Sequence, residues 1–203
     1  MASFSLRVNP LKPLATRREF ILMNQDRLWA PWRLSYIAGD KTTAPGAIEP
    51  KAWLDGADRN CFLCRAAAAY DDEPAARRQN LVVHVGEHVT AVLNLYPYNN
   101  GHLLVSPRRH VGQLHELTHD EHLEAMHTLT RFTKLYAELI KAEGFNIGLN
   151  LNRSAGAGVP GHLHWHLVPR WTGDSNFMPV TGGSRIISQS IDELWNAIQE
   201  RNS

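Results

Sequence analysis

The residues best placed to do chemistry are three histidines at a spacing of two: His162-Leu163-His164-Trp165-His166. On a β-strand, alternate side chains share a face about 6.5–7 Å apart, so three imidazoles would line one face while Leu163, Trp165 and Leu167 bury against the other. Imidazole fills a core poorly and repels its like once charged, so such a row points to function. Two chemistries suit it: metal ligation, and nucleophilic attack on phosphorus. The preceding stretch SAGAGVPG, residues 154–161, favours the second for the central histidine. Ala155, Gly156, Ala157 and Gly158 let backbone N–H groups come close to an anion, as a phosphate requires. A second group is Cys61-Phe62-Leu63-Cys64. This spacing is half of a tetrahedral zinc site, with a redox pair and coincidence as the other readings.

These residues need elements to hold them. LVVHV and HVTAVLNL are short β-rich runs around Gly86-Glu87, a hairpin signal, and HLLVSP follows a turn at Pro97–Gly101. Residues 119–143 read as a long helix. Thr118 and Glu121 form a capping box, Leu123, Met126, Leu129, Phe132, Tyr136, Leu139 and Ile140 an apolar stripe, and Gly144 a stop. FNIGLNL and HLHWHLVPR read as two further strands, and Phe177–Val180 as a short one. Ile191–Ile198 reads as a C-terminal helix starting near Ser190, and Arg65–Tyr70 as an alanine-rich helix. Residues 71–80, with Pro74, read as a connection, and 40–58 as a loop. Strands, one long helix, then strands again predict an α+β fold with an antiparallel sheet.

The totals set bounds. The 203 residues suit one domain with extensions. A net charge of +1 gives no field for general nucleic-acid or membrane-surface binding. No apolar run approaches the roughly 18 residues of a membrane span, so a soluble, cytoplasmic protein is expected. Two cysteines are too few and too close for a secreted disulfide scaffold. Residues 1–25 hold Arg7, Lys12, Arg17 and Arg18 before the first acid, Glu19. They read as a disordered extension or an early start upstream of Met23, with a transit-like segment as the alternative. Residues 26–37, DRLWAPWRLSYI, are broken by Pro31 and read as an arm.

His-Leu-His-Trp-His-Leu-Val resembles the signature of the histidine-triad (HIT) superfamily. AVLNLYPYNNGHLLVSPRRHV resembles its nucleotide-binding strands, and GFNIGLNL the strand before its phosphate loop. With VPRW, GDSNF…GGSRII and the DRLWAPWRLSYI arm, the pattern is most similar to the bacterial diadenosine tetraphosphate phosphorylase-like (ATP adenylyltransferase-like) branch. The resemblance spans residues 26–188, leaving 189–203 as the C-terminal helix. It implies a HIT-like sheet with one long helix. It implies an enzyme that cleaves a dinucleoside polyphosphate through a nucleotidyl-histidine. In that scheme His164 is the nucleophile and His166 assists at the phosphate. Asn94 takes the ribose position, His102 is the histidine of the Gly-His pair, and Asn150 lies on the phosphate side with the amides of Ala157 and Gly158. Taken alone, Asn94 could end a strand and His102 could be a turn residue. A structural zinc is implied on Cys61, Cys64, His110 and His162, with His115 as the alternative third ligand. A homodimer or dimer of dimers is implied as well. One departure stands at Gly158, where many relatives carry glutamine or serine; it leaves open whether the acceptor is water or phosphate. A nucleoside phosphoramidate hydrolase and a non-catalytic zinc- or nucleotide-binding module are the competing readings.

Overall fold

The computed structural model describes residues 48–68, 74–174 and 189–202. The extension 1–25, the arm 26–37, residues 40–47 of the loop expected at 40–58 and the strand expected at Phe177–Val180 lie outside the described residues, as do the junction near 188 and the GDSNF…GGSRII stretch beyond Asp174.

Five strands form one antiparallel sheet: β1 (Val82–Val85), β2 (Val89–Leu93), β3 (Leu103–Pro107), β4 (Gly144–Leu149) and β5 (Trp165–Arg170). Their spatial order is β1-β2-β3-β5-β4, which puts the histidine-bearing β5 between β3 and the edge strand β4. β2 and β3 are buried along their whole length because both sheet faces are covered. The period of two sorts their side chains. Ala91, Leu93, Leu103, Val105, Trp165 and Leu167 pack beneath the helices, whereas Val92 and Leu104 join Cys61, Leu63 and Cys64 on the other face.

Four helices complete the described fold: α1 (Phe62–Ala67), α2 (Pro74–Gln79), α3 (His119–Leu139) and α4 (Ile191–Asn202). α1 starts three residues earlier than expected, directly after Cys61, so both thiols sit on its first turn. α2 replaces the connection expected at 71–80. Pro74 suits a first helical position, where its missing N–H costs nothing, and Ala75 to Gln79 are helix formers. α4 is capped reciprocally by Ser190 and Glu193 and tied to β1 by the Trp195 Nε1–H bond to the Val82 carbonyl, 2.9 Å. Among the described residues no helix is long and apolar enough to cross a membrane.

α3 ends at Leu139, before the expected 143, because Lys141 adopts a φ of 53° and the chain turns there; Gly144 instead opens β4. The buried face of α3 is Glu121, Ala125, Thr128, Leu129, Phe132 and Tyr136. Leu123 and Met126 of the expected stripe are exposed, since Leu123 lies nearly opposite the buried face and Met126 on its flank.

The capping box of α3 is as expected, and Glu121 does more than cap. Its carboxylate accepts the Thr118 N–H at 2.8 Å and two N–H bonds from Arg109, both 2.8 Å, while its side chain is only 4% exposed. The Arg109 guanidinium holds the Glu121 carboxyl below the usual range. Glu121→Ala is expected to cost about 2 kcal/mol, through the lost cap and charged bonds. Glu121→Gln, which still caps, should cost about half that; equal losses in urea unfolding would contradict this division of roles.

Candidate functional site

β5 begins at Trp165, not at His162, so His162 and His164 lie in the bend that feeds the strand. The three histidines therefore separate into two places. His162, fully buried, turns to the cysteines: its Nδ1 is 3.4 Å from both Cys61 Sγ and Cys64 Sγ. His110 Nδ1 is 3.2 Å from Cys64 Sγ. The four donor atoms all lie within 4.8 Å of one another. Tetrahedral coordination at ordinary zinc bond lengths separates sulfur from nitrogen by about 3.6 Å, so this donor set fits an ion with little movement. The Nε2–H of His162 donates to the Pro107 carbonyl at 2.8 Å, which leaves a lone pair on Nδ1, turned to the sulfurs. The hydrogen bond between the two cysteines, assisted by His162, lowers the Cys61 thiol and raises that of Cys64, so Cys61 is the favoured thiolate. His115 is not in this cluster; it lies exposed in the 3-10 turn Leu114–Glu116.

His164 and His166 face one another across the second place, ring centroids 5.0 Å apart. His164 Nδ1 is 2.8 Å from the His162 carbonyl. A carbonyl can only accept, so the proton sits on Nδ1 and Nε2 carries the lone pair. Burial pushes the His164 imidazole below its ordinary pKa, so the neutral form prevails at pH 7.

His166 is set by a chain of contacts. The Tyr98 backbone N–H and the Asn94 amide both reach His102 Nδ1, at 3.1 and 3.2 Å. The His102 proton is thereby placed on Nε2, which donates to His166 Nδ1 at 2.9 Å. His166 Nε2–H then faces the Asn150 amide at 3.3 Å, whose oxygen is the matching acceptor after a half-turn of the side chain. Asn94, His102, Asn150, His164 and His166 are thus joined in one set of contacts. Asn94 also closes a local turn by accepting the Tyr96 N–H at 3.0 Å.

The small-residue loop differs in detail from expectation. The Ala155 and Ala157 N–H groups donate to the Asn152 carbonyl, at 3.3 and 3.2 Å, and Gly156 N–H to the Arg153 carbonyl at 2.9 Å. Ala157 is therefore engaged within the loop. Among the described residues, Gly158 N–H finds no internal acceptor.

Three contributors were missed in the sequence. Tyr98 stacks on His102, centroids 4.6 Å apart, besides offering its N–H. The Pro107 and His162 carbonyls orient two of the histidines. Backbone groups carry no residue-type signal, so only Tyr98, near the Asn-Gly-His turn, could have been picked out.

The turn bearing His102 is anchored from the far end of β5. Asp174 takes the Arg170 guanidinium and the Asn99 amide, the latter at 2.9 Å. Arg170 lowers the Asp174 carboxyl to about 2. A depressed carboxylate contributes stability that is present above its unfolded value, about 3.9, and is lost as pH falls through the folded value. The Tm gap between the protein and Asp174→Asn should therefore be widest near pH 7 and close as pH approaches about 2. A gap that stays constant with pH would rule out the charge as its source.

A profile of the HIT domain family matches residues 75–173. The chain is 40% identical over 165 residues to the AP-4-A phosphorylase of Mycobacterium tuberculosis strain H37Rv, covering 81% of this chain and 78% of that protein. It is 38% identical over 121 residues to a HIT-like protein of Methanocaldococcus jannaschii, covering 58% and 88%. It is 34% identical over 84 residues to the asymmetrical bis(5'-nucleosyl)-tetraphosphatase of Schizosaccharomyces pombe, covering 41% and 46%. An antiparallel α+β sheet with a paired-histidine wall defines the class, and the chain belongs to the HIT domain family.

Proposed function

We propose that this protein is an enzyme that cleaves a dinucleoside polyphosphate of the diadenosine tetraphosphate type through a nucleotidyl-histidine on His164. The observation that carries the reading is the 2.8 Å bond from His164 Nδ1–H to the His162 carbonyl, which presents a buried, neutral Nε2 lone pair. Nε2 attacks the α-phosphorus, the P–N bond forms, and the P–O bond to the departing polyphosphate breaks with its electrons on that oxygen. Water or inorganic phosphate then displaces the histidine. Water yields the nucleoside monophosphate, and phosphate yields the diphosphate. His166 Nε2–H, Asn150 and the Gly158 N–H supply donors for the phosphoryl oxygens. Asn94 and His102 hold the neighbouring nucleotide side of the wall. The relatives, one named a phosphorylase and the other a tetraphosphatase, support the substrate class and leave both acceptors in play.

Zinc is the ion we propose for Cys61, Cys64, His110 and His162. Four protein ligands close its coordination, so its part is structural: it holds His162, whose carbonyl orients the nucleophile. A cytoplasmic setting, where thiols stay reduced, suits this cluster. A homodimer or dimer of dimers is part of the same reading, supported by exposed Leu123 and Met126 on α3 and exposed Ile147 on the edge strand β4.

The experiment is to mix the protein with diadenosine tetraphosphate radiolabelled on the α-phosphorus and quench in alkali, which preserves a phosphoramidate. Label on the His164 peptide is expected, with AMP or ADP released in its absence or presence of phosphate. Turnover without any labelled peptide would refute the covalent step.

A further inference from the structure

We propose that Asn152 is a positioning residue that sets the phosphate-facing shape of the loop 153–158, with Gln113 as its clamp. This rests on the reading of that loop as the phosphate site. Asn152 has φ 64° and ψ 171°, a backbone conformation that is essentially glycine's. Leu81 and Lys141 share a positive φ but sit at a strand entry and a helix end, away from the histidines. A residue held in such a conformation needs surrounding contacts that over-determine it, and Asn152 has them on both sides. Its carbonyl collects the Ala155 and Ala157 N–H groups, at 3.3 and 3.2 Å. Its side-chain oxygen accepts from Gln113 Nε2 at 3.0 Å.

Those contacts bear directly on the site. Asn152 lies two residues beyond Asn150, which meets His166, and its carbonyl curls the loop so that Ala155 and Ala157 face inward on themselves. Gly158 N–H, next along the chain, is not taken up by that carbonyl. Gln113 is not a loose partner. It belongs to the segment His110–Gln113, which is sewn to the far end of the same loop. The Leu163 N–H donates to the Val111 carbonyl at 2.8 Å. A Cβ on Gly112 would lie 2.8 Å from the Pro160 carbonyl oxygen, so this approach needs glycine. One short strut thus starts at the cysteine–histidine cluster and ends on Asn152. Asparagine has no intrinsic preference for this backbone region, so it is held there by its contacts. What asparagine offers over glycine is the clamp's acceptor, its side-chain oxygen.

The test is calorimetric titration of the full chain with AMP and with adenosine, alongside Tm. The ratio of the two affinities isolates the phosphate. Asn152→Ala keeps the strain and loses the clamp, and should lower that ratio roughly tenfold, as expected when a bond to a charged group is misplaced. Asn152→Gly removes the strain and should retain the ratio within about threefold. Gln113→Leu should fall between them, with adenosine affinity unchanged in all three. An alanine variant with an unchanged ratio, or glycine and alanine variants falling together, overturns the inference. Adduct formation on His164 judges the catalytic reading separately. If the unaltered protein forms no adduct, that reading fails while the affinity ratios still decide this one.

Discussion

His164→Asn is expected to lower turnover of diadenosine tetraphosphate by about four orders of magnitude or more, the scale seen when a nucleophile is removed from a covalent mechanism. Asparagine is chosen because its Nδ2–H can take the place of the imidazole Nδ1–H and keep the 2.8 Å bond to the His162 carbonyl. What vanishes is Nε2, the atom assigned to attack. The site's remaining donors, His166, Asn150 and the loop, are untouched, so AMP affinity should change only a few-fold. His164 is buried, yet the loss of a few ring atoms beside polar neighbours should shift Tm little. The combination of lost turnover, retained binding and retained Tm separates catalysis from structure. A variant that keeps a tenth of the activity would assign the nucleophile elsewhere. A merely non-catalytic binding module would show no difference at all.

The second large effect is the opposite in kind. Cys64→Ser is expected to release the metal and destabilise the whole domain. Cys64 Sγ lies within 3.4 Å of Nδ1 of both His110 and His162, so its loss disrupts two contacts at once. Both cysteines also belong to the smaller core with Leu63, Val82, Val92 and Leu104. Structural zinc contributes folding free energy directly, and losing about 4 kcal/mol of it would lower Tm by about 10 °C in a chain of this size. Activity should fall too, because His162 would no longer hold the carbonyl that orients His164. Elemental analysis should find about one zinc per chain in the unaltered protein and little in the variant. A metal-free protein whose Tm is unmoved by Cys64→Ser would sink the assignment. The two substitutions thus differ in signature: His164→Asn leaves Tm intact, and Cys64→Ser does not.

Much of this was legible before any coordinates. The α+β class followed from periodicity, because alternating and three-to-four spacings are imposed by backbone geometry and survive in the sequence. Thr118 and Glu121 marked the start of α3 correctly, since capping is a local bond. Where long-range packing decides, local reading went astray. The end of α3 was set by a left-handed Lys141, and α2 arose in a stretch that polar composition and Pro74 disguised. Leu123 and Met126 looked like core because hydrophobicity alone does not say which face meets the sheet.

The same division holds for the histidines. Their types and the spacing of two belong to the sequence, as does the Cys-x-x-Cys pair, because residue identity and covalent spacing are local properties. The resemblance already implied different roles for the three; that all would line one strand face was the expectation from spacing, and the tertiary structure dissolved it. β5 starts only at Trp165, so His162 swings into the cysteine cluster with His110, a partner 52 positions upstream. His164 and His166 remain opposed, each with its proton placed by a group that no residue code announces: the His162 carbonyl for one, and the Tyr98 N–H acting through His102 for the other. Tautomers are decided by hydrogen bonds between distant segments, and those exist only once the chain has folded.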